Sequence, residues 1–315
     1  MSEPPNRAVI LGGSGAMGTA TALRLAAAGW QVDVTHRSGP VSPALAETGV
    51  RLHHVERSDT TAVDRLVGDG TDRLVDILAY RAEDVDALLP AMRRTRHTVL
   101  ISSRAVYVDA DGHHINGDAS PRFPVPIPES QPTLPPAPRG TDPFSREGYV
   151  PCKAAAERIA LDSGLPVTVL RPSKVHGAWA RNPRTEDVVR SMTAETPTIE
   201  VGRPDAVDHP TAASNVAALI EMIAKQPGRR VLNAADPDTP GAAAIFRRIA
   251  ELTGWQGRLE LLTDEPRRSR VRHPWFAERP IVLDTSAAEA LGYRPVGTAL
   301  DLLREEVDWV LPRQT

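Results

Sequence analysis

A glycine-rich turn near the start of the chain constrains its fold more than any other feature. Gly12, Gly15 and Gly18 lie between an apolar run, Ala8 to Leu11, and an alanine-rich and leucine-rich stretch, Met17 to Ala28. This pattern predicts a buried strand, a tight turn and a helix. Glycine is needed at such a turn when the backbone approaches a pyrophosphate, whose charge then lies against amide hydrogens at the helix N-terminus. The turn therefore predicts a dinucleotide site, the alternative being a turn that only packs the helix on the strand.

The same alternation of short apolar runs and helical stretches continues to about residue 170. It predicts a Rossmann-type, doubly wound α/β fold, with a parallel sheet covered by helices on both faces. The predicted strands are Ala8–Leu11, Gln31–Thr35, Arg51–Val55, Leu74–Ala79, Thr98–Ser102, Val167–Leu170 and Val231–Asn233. The predicted helices are Met17–Ala28, Thr60–Val67, Glu83–Arg94, Tyr149–Asp162, Glu186–Thr193, Ala213–Lys225 and Gly241–Thr253.

Two regions interrupt this regular pattern. Residues 109–146 are rich in proline, which forbids a helix or a central strand, so we predict a long loop that stays within the domain. Beyond residue 177 the pattern is less regular. We predict a dinucleotide-binding domain over 1–177 and a smaller C-terminal substrate lobe over 178–315, with segments near 205–235 and 280–290 returning to the first domain.

Composition narrows the classes of partner. The 315 residues carry a formal net charge of −3 and dispersed basic side chains, which disfavours nucleic acid or an anionic membrane as a partner. Cys152 is the one cysteine, so an internal disulfide and a thiolate zinc site are excluded. The sequence contains no run of about 20 apolar residues, so we expect no membrane span, and the segment before the glycine turn does not resemble a signal peptide. We expect a cytoplasmic protein that acts on a small molecule and holds no metal.

The glycine spacing, Gly-x-x-Gly-x-x-Gly, resembles that of the extended short-chain dehydrogenases, also called the NAD-dependent epimerase/dehydratase family. At the end of the second strand the family usually has an acidic residue for the adenosine ribose, whereas here His36 and Arg37 stand there. A guanidinium can bind a 2′-phosphate that a carboxylate would repel, so we predict NADP(H) over NAD(H). Asp33 is the alternative ribose acceptor, although it lies two or three residues too early.

Tyr149 and Lys153 lie four residues apart and so share one face of a predicted helix. A free tyrosine titrates at about pH 10. An adjacent lysine and the positive nicotinamide of an oxidised cofactor would lower the pKa of the phenol, so that it could exchange a proton with a substrate oxygen. The position of the pair, at the start of the helix before the sixth strand, matches the resemblance, which implies that Tyr149 is the general acid/base.

The resemblance implies further site residues. The segment after the fifth strand, Ser-Ser-Arg-Ala-Val-Tyr, is similar to a family motif that makes Ser103 the third catalytic residue, with Ser102 as the alternative. The predicted cofactor contacts are Gly12, Ser14, Gly15, Ala16, Met17, Gly18, His36, Arg37, Ser38, Glu56, Arg57, Ala79, Tyr80, Tyr149, Lys153, Arg171, Pro172 and Val175. The candidate substrate contacts are Arg104, His176, Trp179, Arg181, Arg184 and His209. His176 has a structural role as its alternative.

Three functions follow from these residues. The favoured one is an oxidoreductase that reduces a carbonyl, or oxidises a secondary alcohol, of a small molecule with NADP(H). The second is a sugar or sugar-nucleotide epimerase that retains its cofactor, and the third is a non-catalytic NADP sensor, which the retained Tyr149 and Lys153 disfavour. A dehydratase would add acidic residues beside the serine, and none occurs there. A metal site on His53 and His54, or on His113 and His114, is disfavoured because adjacent residues on a strand point to opposite faces. The resemblance also implies a homodimer.

Overall fold

A seven-stranded parallel sheet forms the centre of the computed structural model, which describes residues 6–37 and 39–313. The described strands are β1 (Arg7–Leu11), β2 (Gln31–His36), β3 (Arg51–His54), β4 (Arg73–Asp76), β5 (His97–Ile101), β6 (Val167–Pro172), β7 (Lys174–His176), β8 (Thr198–Gly202), β9 (Pro210–Ala212), β10 (Arg230–Ala234) and β11 (Arg258–Leu262). In the large sheet they follow the order β10-β6-β5-β4-β1-β2-β3. The chain therefore starts in the middle of the sheet and winds outward in both directions, which confirms the predicted fold class.

Helices cover both faces of this sheet. The described α-helices are α1 (Ala16–Ala27), α2 (Pro43–Glu47), α3 (Thr60–Val67), α4 (Ala82–Arg93), α5 (Tyr149–Asp162), α6 (Glu186–Thr193), α7 (Ala213–Ala224), α8 (Ala242–Thr253), α9 (Arg267–Arg270), α10 (Ser286–Ala290) and α11 (Ala299–Val310). One face buries α1 and α7, which pack against each other, and the other buries α3, α4 and α5. Because parallel strands are covered on both faces, β5 is buried along its whole length and β1 from Ala8 onward.

A separate apolar cluster lies in the second half of the chain, where α6, α8 and α11 pack together around Trp275. Two short parallel pairs, β8 with β11 and β7 with β9, belong to this half. By contrast, β10 and α7 add to the large sheet and its helical layer. The division of the chain into two domains at residue 177, with segments returning to the first domain, stays a prediction.

The proline-rich segment is anchored to the body of the protein. Tyr107 forms an isolated bridge with Thr133, and Ile127 forms another with Leu283. The carboxylate of Asp109 accepts backbone hydrogen bonds from three residues of the segment, at distances of 2.8 to 3.0 Å. Between the short 3₁₀ turn at Arg104–Val106 and α5, the described chain contains neither a helix nor a strand, as predicted from the prolines.

Several strand boundaries and smaller elements differ from the prediction. The fourth strand ends at Asp76 rather than Ala79, because the Asp76 carboxylate accepts the Leu78 N–H and turns the chain. The elements absent from the prediction are α2, α9, α10, α11, β7, β8, β9 and β11. Among the described residues, no helix is both long and apolar enough to cross a bilayer.

Candidate active site

The glycine turn joins β1 to α1 through an exceptionally close backbone approach. Gly12 has a φ of +94°, and a Cβ on Gly18 would lie 2.5 Å from the Gly12 carbonyl oxygen. A Cβ on Gly13, a fourth glycine, would lie 1.9 Å from Cγ1 of Val34 in the next strand. These glycines are needed by the fold itself. Their packing draws the N-terminus of α1 up against the end of the sheet.

Gly15 differs from the other glycines of the turn. It is the N-cap of α1, its φ is −96°, and a Cβ built on it would meet nothing within 4 Å. Among the described residues no side chain caps the helix, so the first amide groups of α1 lack a side-chain acceptor. An anion such as a pyrophosphate can approach there, stabilised by the helix dipole.

Two cavities beside this turn, with volumes of about 710 and 480 Å³, both contain Arg37 and Arg181 in their walls. Ser14 lines the larger, and Glu56 and Tyr80 line the smaller. Each volume lies within the range of about 300 to 1,000 Å³ typical of cofactor and ligand pockets. Together with the open helix N-terminus, these walls fit a nicotinamide dinucleotide.

The end of β2 presents a cation rather than a carboxylate. Asp33 is 2% exposed, and its two oxygens accept hydrogen bonds from Arg7, Arg51 and His53 at 2.7 to 3.0 Å. Its carboxylate therefore belongs to an internal cluster and is not free for a ribose. Arg37 is half exposed, with Nε 4.0 Å from a carboxylate oxygen of Glu56. Ser38, the third predicted residue here, lies outside the described residues.

Tyr149 begins α5, and its phenol lies near the hydroxyl of Ser103, two residues after the end of β5. The Ser103 hydroxyl also accepts the Ala105 N–H at 3.1 Å, which fixes its direction. Ser102, the alternative serine, is buried, and its hydroxyl has no hydrogen-bond partner within the described residues. Burial raises the pKa of Tyr149, while the nearby Ser103 acts in the opposite direction.

Lys153 lies one turn further along α5 and is buried. Its ammonium donates hydrogen bonds to the carbonyl oxygens of Ala79 at 2.7 Å and Ile101 at 3.0 Å, and lies 4.6 Å from the centre of the Tyr80 ring. Burial lowers its pKa to about 8. The ammonium is thus directed to the two carbonyls. That Lys153 and the nicotinamide of an oxidised cofactor together lower the pKa of Tyr149 stays a prediction.

With this geometry established, comparison with known proteins identifies the family. The sequence profile of the NAD-dependent epimerase/dehydratase family matches residues 8–205, well over half of the chain. The chain belongs to this family. Its members are nicotinamide-dependent enzymes, which confirms both the resemblance and the prediction of an enzyme.

Solved structures of epimerases and dehydratases share the fold of this family member. A UDP-glucose 4-epimerase from Stenotrophomonas maltophila with bound NAD has a TM-score of 0.73 at 16% identity, with 98% of each chain covered. A nucleoside-diphosphate-sugar epimerase from Pseudomonas aeruginosa has a TM-score of 0.68 at 21% identity over 98% of each chain. A dTDP-glucose 4,6-dehydratase from Bacillus anthracis with NAD has a TM-score of 0.68 at 15% identity over 96% of each chain. No curated protein sequence matches the chain.

Two arginines predicted to contact the cofactor have internal partners instead. The Arg57 guanidinium lies 2.6 Å from the buried carboxylate of Asp76, which neutralises its charge although the residue lines the smaller cavity. Arg171 lies 2.6 Å from Glu157 of α5, and its guanidinium lies over the Tyr107 ring. Because the charges of Arg57 and Arg171 are paired within the protein, we do not propose either residue as a phosphate-binding group.

The other predicted cofactor residues differ in how exposed they are. Met17, Tyr80 and Val175 are partly exposed, and the buried ones are Ala16, Ala79 and Pro172. His36 ends β2, with its Nδ1 2.7 Å from the Arg37 carbonyl oxygen.

Three of the candidate substrate contacts are also held inside the protein. Arg104 is ion-paired with the buried Asp208. His176 is 2% exposed, with Nε2 3.1 Å from Asp236, which supports its structural role. His209 uses both ring nitrogens, one 2.8 Å from the Asp236 carbonyl oxygen and the other 3.1 Å from the Leu283 N–H. We therefore do not propose His176 and His209 as substrate contacts.

The remaining candidates lie on the segment between β7 and α6. Trp179 and Arg181 line the larger cavity, opposite Trp309 of α11, whose ring centre is 5.8 Å from that of Trp179. Sequence reasoning missed α11 and therefore Trp309. A signal was present: Leu300, Leu303, Val307 and Val310 recur at helical spacing, and Thr298 precedes them as an N-cap that accepts the Asp301 N–H.

Proposed function

We propose that this protein is an NADP(H)-dependent oxidoreductase that reduces a carbonyl, or oxidises a secondary alcohol, of a small molecule. The observation that carries the proposal is the proximity of the Tyr149 phenol to Ser103, which follows β5 in the sheet whose first strand leads into the glycine turn. When bound, the nicotinamide supplies or accepts the hydride.

The residues of the chain provide the proton transfer. Because burial raises the pKa of Tyr149, the phenol keeps its proton at neutral pH and can give it to a carbonyl oxygen as general acid. Ser103 hydrogen-bonds the same oxygen and stabilises the charge that develops on it. In the oxidative direction the phenolate takes the proton back. Lys153 supports the site by holding the carbonyl groups of Ala79 and Ile101.

The preference for NADP(H) is part of the proposal and depends on charge at the end of β2. The internal cluster around Asp33 removes the nearest carboxylate of that strand, and Arg37 remains half exposed for a 2′-phosphate. Arg181, which lines both cavities, is a second cation within the same space. Gly15 and the first turn of α1 would receive the pyrophosphate.

Replacing Tyr149 by phenylalanine tests the catalytic role. We expect turnover of NADPH with a panel of aldehydes and ketones to fall by roughly 10²- to 10⁴-fold. The NADPH dissociation constant, measured by fluorescence titration, should stay within a few-fold of the wild-type value. Tyr293→Phe is the control, because it removes a buried phenol that donates to the Asn215 carbonyl and lies outside the proposed proton-transfer site. Turnover that survives in Tyr149→Phe would refute the mechanism.

Replacing Arg37 by glutamine tests the cofactor preference. Loss of a charged hydrogen bond of about 1.5 to 3 kcal/mol corresponds to NADPH binding roughly 10- to 100-fold more weakly, with NADH binding little changed. Arg190→Gln, an exposed site on α6, is the control. Equal losses for both nucleotides would contradict a 2′-phosphate contact.

An epimerase that retains its cofactor is the second candidate, favoured by the family profile and by neighbours such as the S. maltophila epimerase. The nucleotide that co-purifies with the protein separates the two: a tightly held oxidised cofactor favours epimerisation, and an exchangeable one favours reduction. The cytoplasmic location and the homodimer stay predictions, the latter testable by light scattering.

A further inference from the structure

A single buried carboxylate fixes both ends of the segment 177–185. Glu306 of α11 is 0% exposed. One of its oxygens accepts the Gly177 N–H at 2.9 Å, and the other accepts the Thr185 N–H and hydroxyl at 2.8 and 3.0 Å. The segment is therefore closed at its base. Arg184 stands directly before one of the two fixed residues, so its backbone position is well defined.

Among residues 6–37 and 39–313, the Arg184 guanidinium has no partner within the protein. Within the described residues, no hydrogen bond or ion pair joins it to the rest of the chain, and its Nε is buried without a partner. Buried polar atoms are nearly always hydrogen-bonded, so the Arg184 Nε–H is a donor that a ligand oxygen could satisfy. Burial is the main influence on the pKa values of the Tyr149 phenol and the Lys174 ammonium, and the charge of Arg184 lowers both. Arg184 belongs to the same segment as Trp179 and Arg181, which line the larger cavity.

The surrounding charges leave this region positive. Arg104 and Lys174 both pair with Asp208, so two cations share one carboxylate. Arg184 adds a third cation with no acid of its own among the described residues. In a partly buried setting such an excess of positive charge is costly until an anion enters, and a guanidinium binds carboxylate or phosphate oxygens in a bidentate manner.

We propose that the site binds substrates that carry an anionic oxygen group, a carboxylate or a phosphate, close to the carbon that reacts at Tyr149, with Arg184 as the partner of that group. This inference rests on the proposed function, since it takes Tyr149 as the reacting residue. It adds the chemical class of the substrate, which would be an oxo or hydroxy acid or a phosphorylated analogue.

Titration of the protein with malonate and with inorganic phosphate, in the presence of saturating NADPH, tests the binding directly. We expect Arg184→Gln to weaken at least one of these anions by roughly tenfold or more, as the loss of a charged hydrogen bond predicts. Arg184→Lys keeps the charge, so its affinity for the anions should lie between those of the wild type and Arg184→Gln. Arg190→Gln, which removes an exposed arginine of α6, should bind both anions like the wild type. The relative affinities of the two probes show whether the group is a carboxylate or a phosphate.

A matched pair of carbonyl substrates gives an independent readout. Arg184→Gln should lower kcat/KM for pyruvate far more than for its uncharged methyl ester. The proposal is overturned if neither anion binds the wild-type protein, if Arg184→Gln binds both unchanged, or if the variant loses only NADPH affinity, since Arg184 would then serve the cofactor. Failure of the proposed function looks different: Tyr149→Phe would keep its turnover while the anion titrations still depended on Arg184.

Discussion

Replacement of Lys153 by methionine should change how the stability of the protein depends on alkaline pH. The ammonium is buried, and burial lowers its pKa from 10.5 to about 8. Between these two values the unfolded chain binds a proton that the folded protein does not, so the free energy of unfolding rises with pH in that window. Below the folded pKa both states are protonated, and the cost of burying the charge is fully present.

The size of the effect follows from the shift. Each pKa unit corresponds to about 1.4 kcal/mol, so the full difference is about 3 kcal/mol, of which about 2 kcal/mol is gained between about pH 7 and pH 9.5. Lys153→Met has no proton to lose at this position. The difference in unfolding free energy, wild type minus variant, should therefore grow by about 2 kcal/mol over this range.

Urea denaturation followed by tryptophan fluorescence at a series of pH values measures this difference. Other titrating groups, such as Lys174 and the buried tyrosines, contribute equally to both proteins and cancel. Lys225→Met, which removes an exposed lysine at the C-terminal end of α7, should give a curve parallel to that of the wild type. A difference between the wild type and Lys153→Met that stays constant with pH would refute the burial argument.

Three further predictions concern the turn, the loop and the strand. Gly15→Ala should leave the free energy of unfolding within about 1 kcal/mol of the wild type yet weaken NADPH binding at least tenfold. Gly18→Ala should instead destabilise the protein by about 1 to 3 kcal/mol. If the two variants lost the same unfolding free energy and the same NADPH affinity, this distinction would be contradicted. Glu306→Gln should lower the free energy of unfolding by about 1 to 3 kcal/mol, because buried N–H groups lose an acceptor, and an unchanged urea midpoint would contradict the clamp. Asp33→Asn should cost about 1 to 3 kcal/mol near pH 7 without changing the ratio of NADPH to NADH affinity, and a changed ratio would return Asp33 to the cofactor site. Because the pKa of Asp33 is lowered, its stabilisation is present above pH 3.8 and is lost as the pH falls through the folded value.

The first half of the fold could be predicted because its signals are local. Buried strands such as β1 contain continuous apolar runs, here Ala8 to Leu11. The helices between the strands begin and end at recognisable residues, such as Asp59, whose carboxylate accepts the Ala62 N–H at the start of α3. The turn glycines and the spacing of Tyr149 and Lys153 are also local patterns. They were sufficient for the fold class and the family.

What the sequence could not predict depends on burial and on distant partners. The pKa of Tyr149 moves upward because the folded chain surrounds the phenol, and the spacing of Tyr149 and Lys153 says nothing about that. Arg57 was assigned to the cofactor on a motif, yet its charge is neutralised by Asp76, which lies 19 positions further along the chain. A strand as short as the three-residue β7 contains too few residues to show a pattern of alternating apolar and polar side chains.

The irregular second half is organised around three buried carboxylates rather than around long regular elements. Asp208 holds Arg104, Glu306 closes the segment 177–185, and Asp236 binds His176 together with the N–H of Ala212. The pKa values of Asp208 and Asp236 are lowered by these partners despite the opposing effect of burial, so their stabilisation is lost only as the pH falls below 3.8. The pKa of His176 is raised by Asp236, so its contribution is complete below about pH 6.5 and is lost as the pH rises through the folded value. The substrate side of the site should therefore loosen at both extremes of pH, because its geometry depends on charge pairs that join segments far apart in the chain.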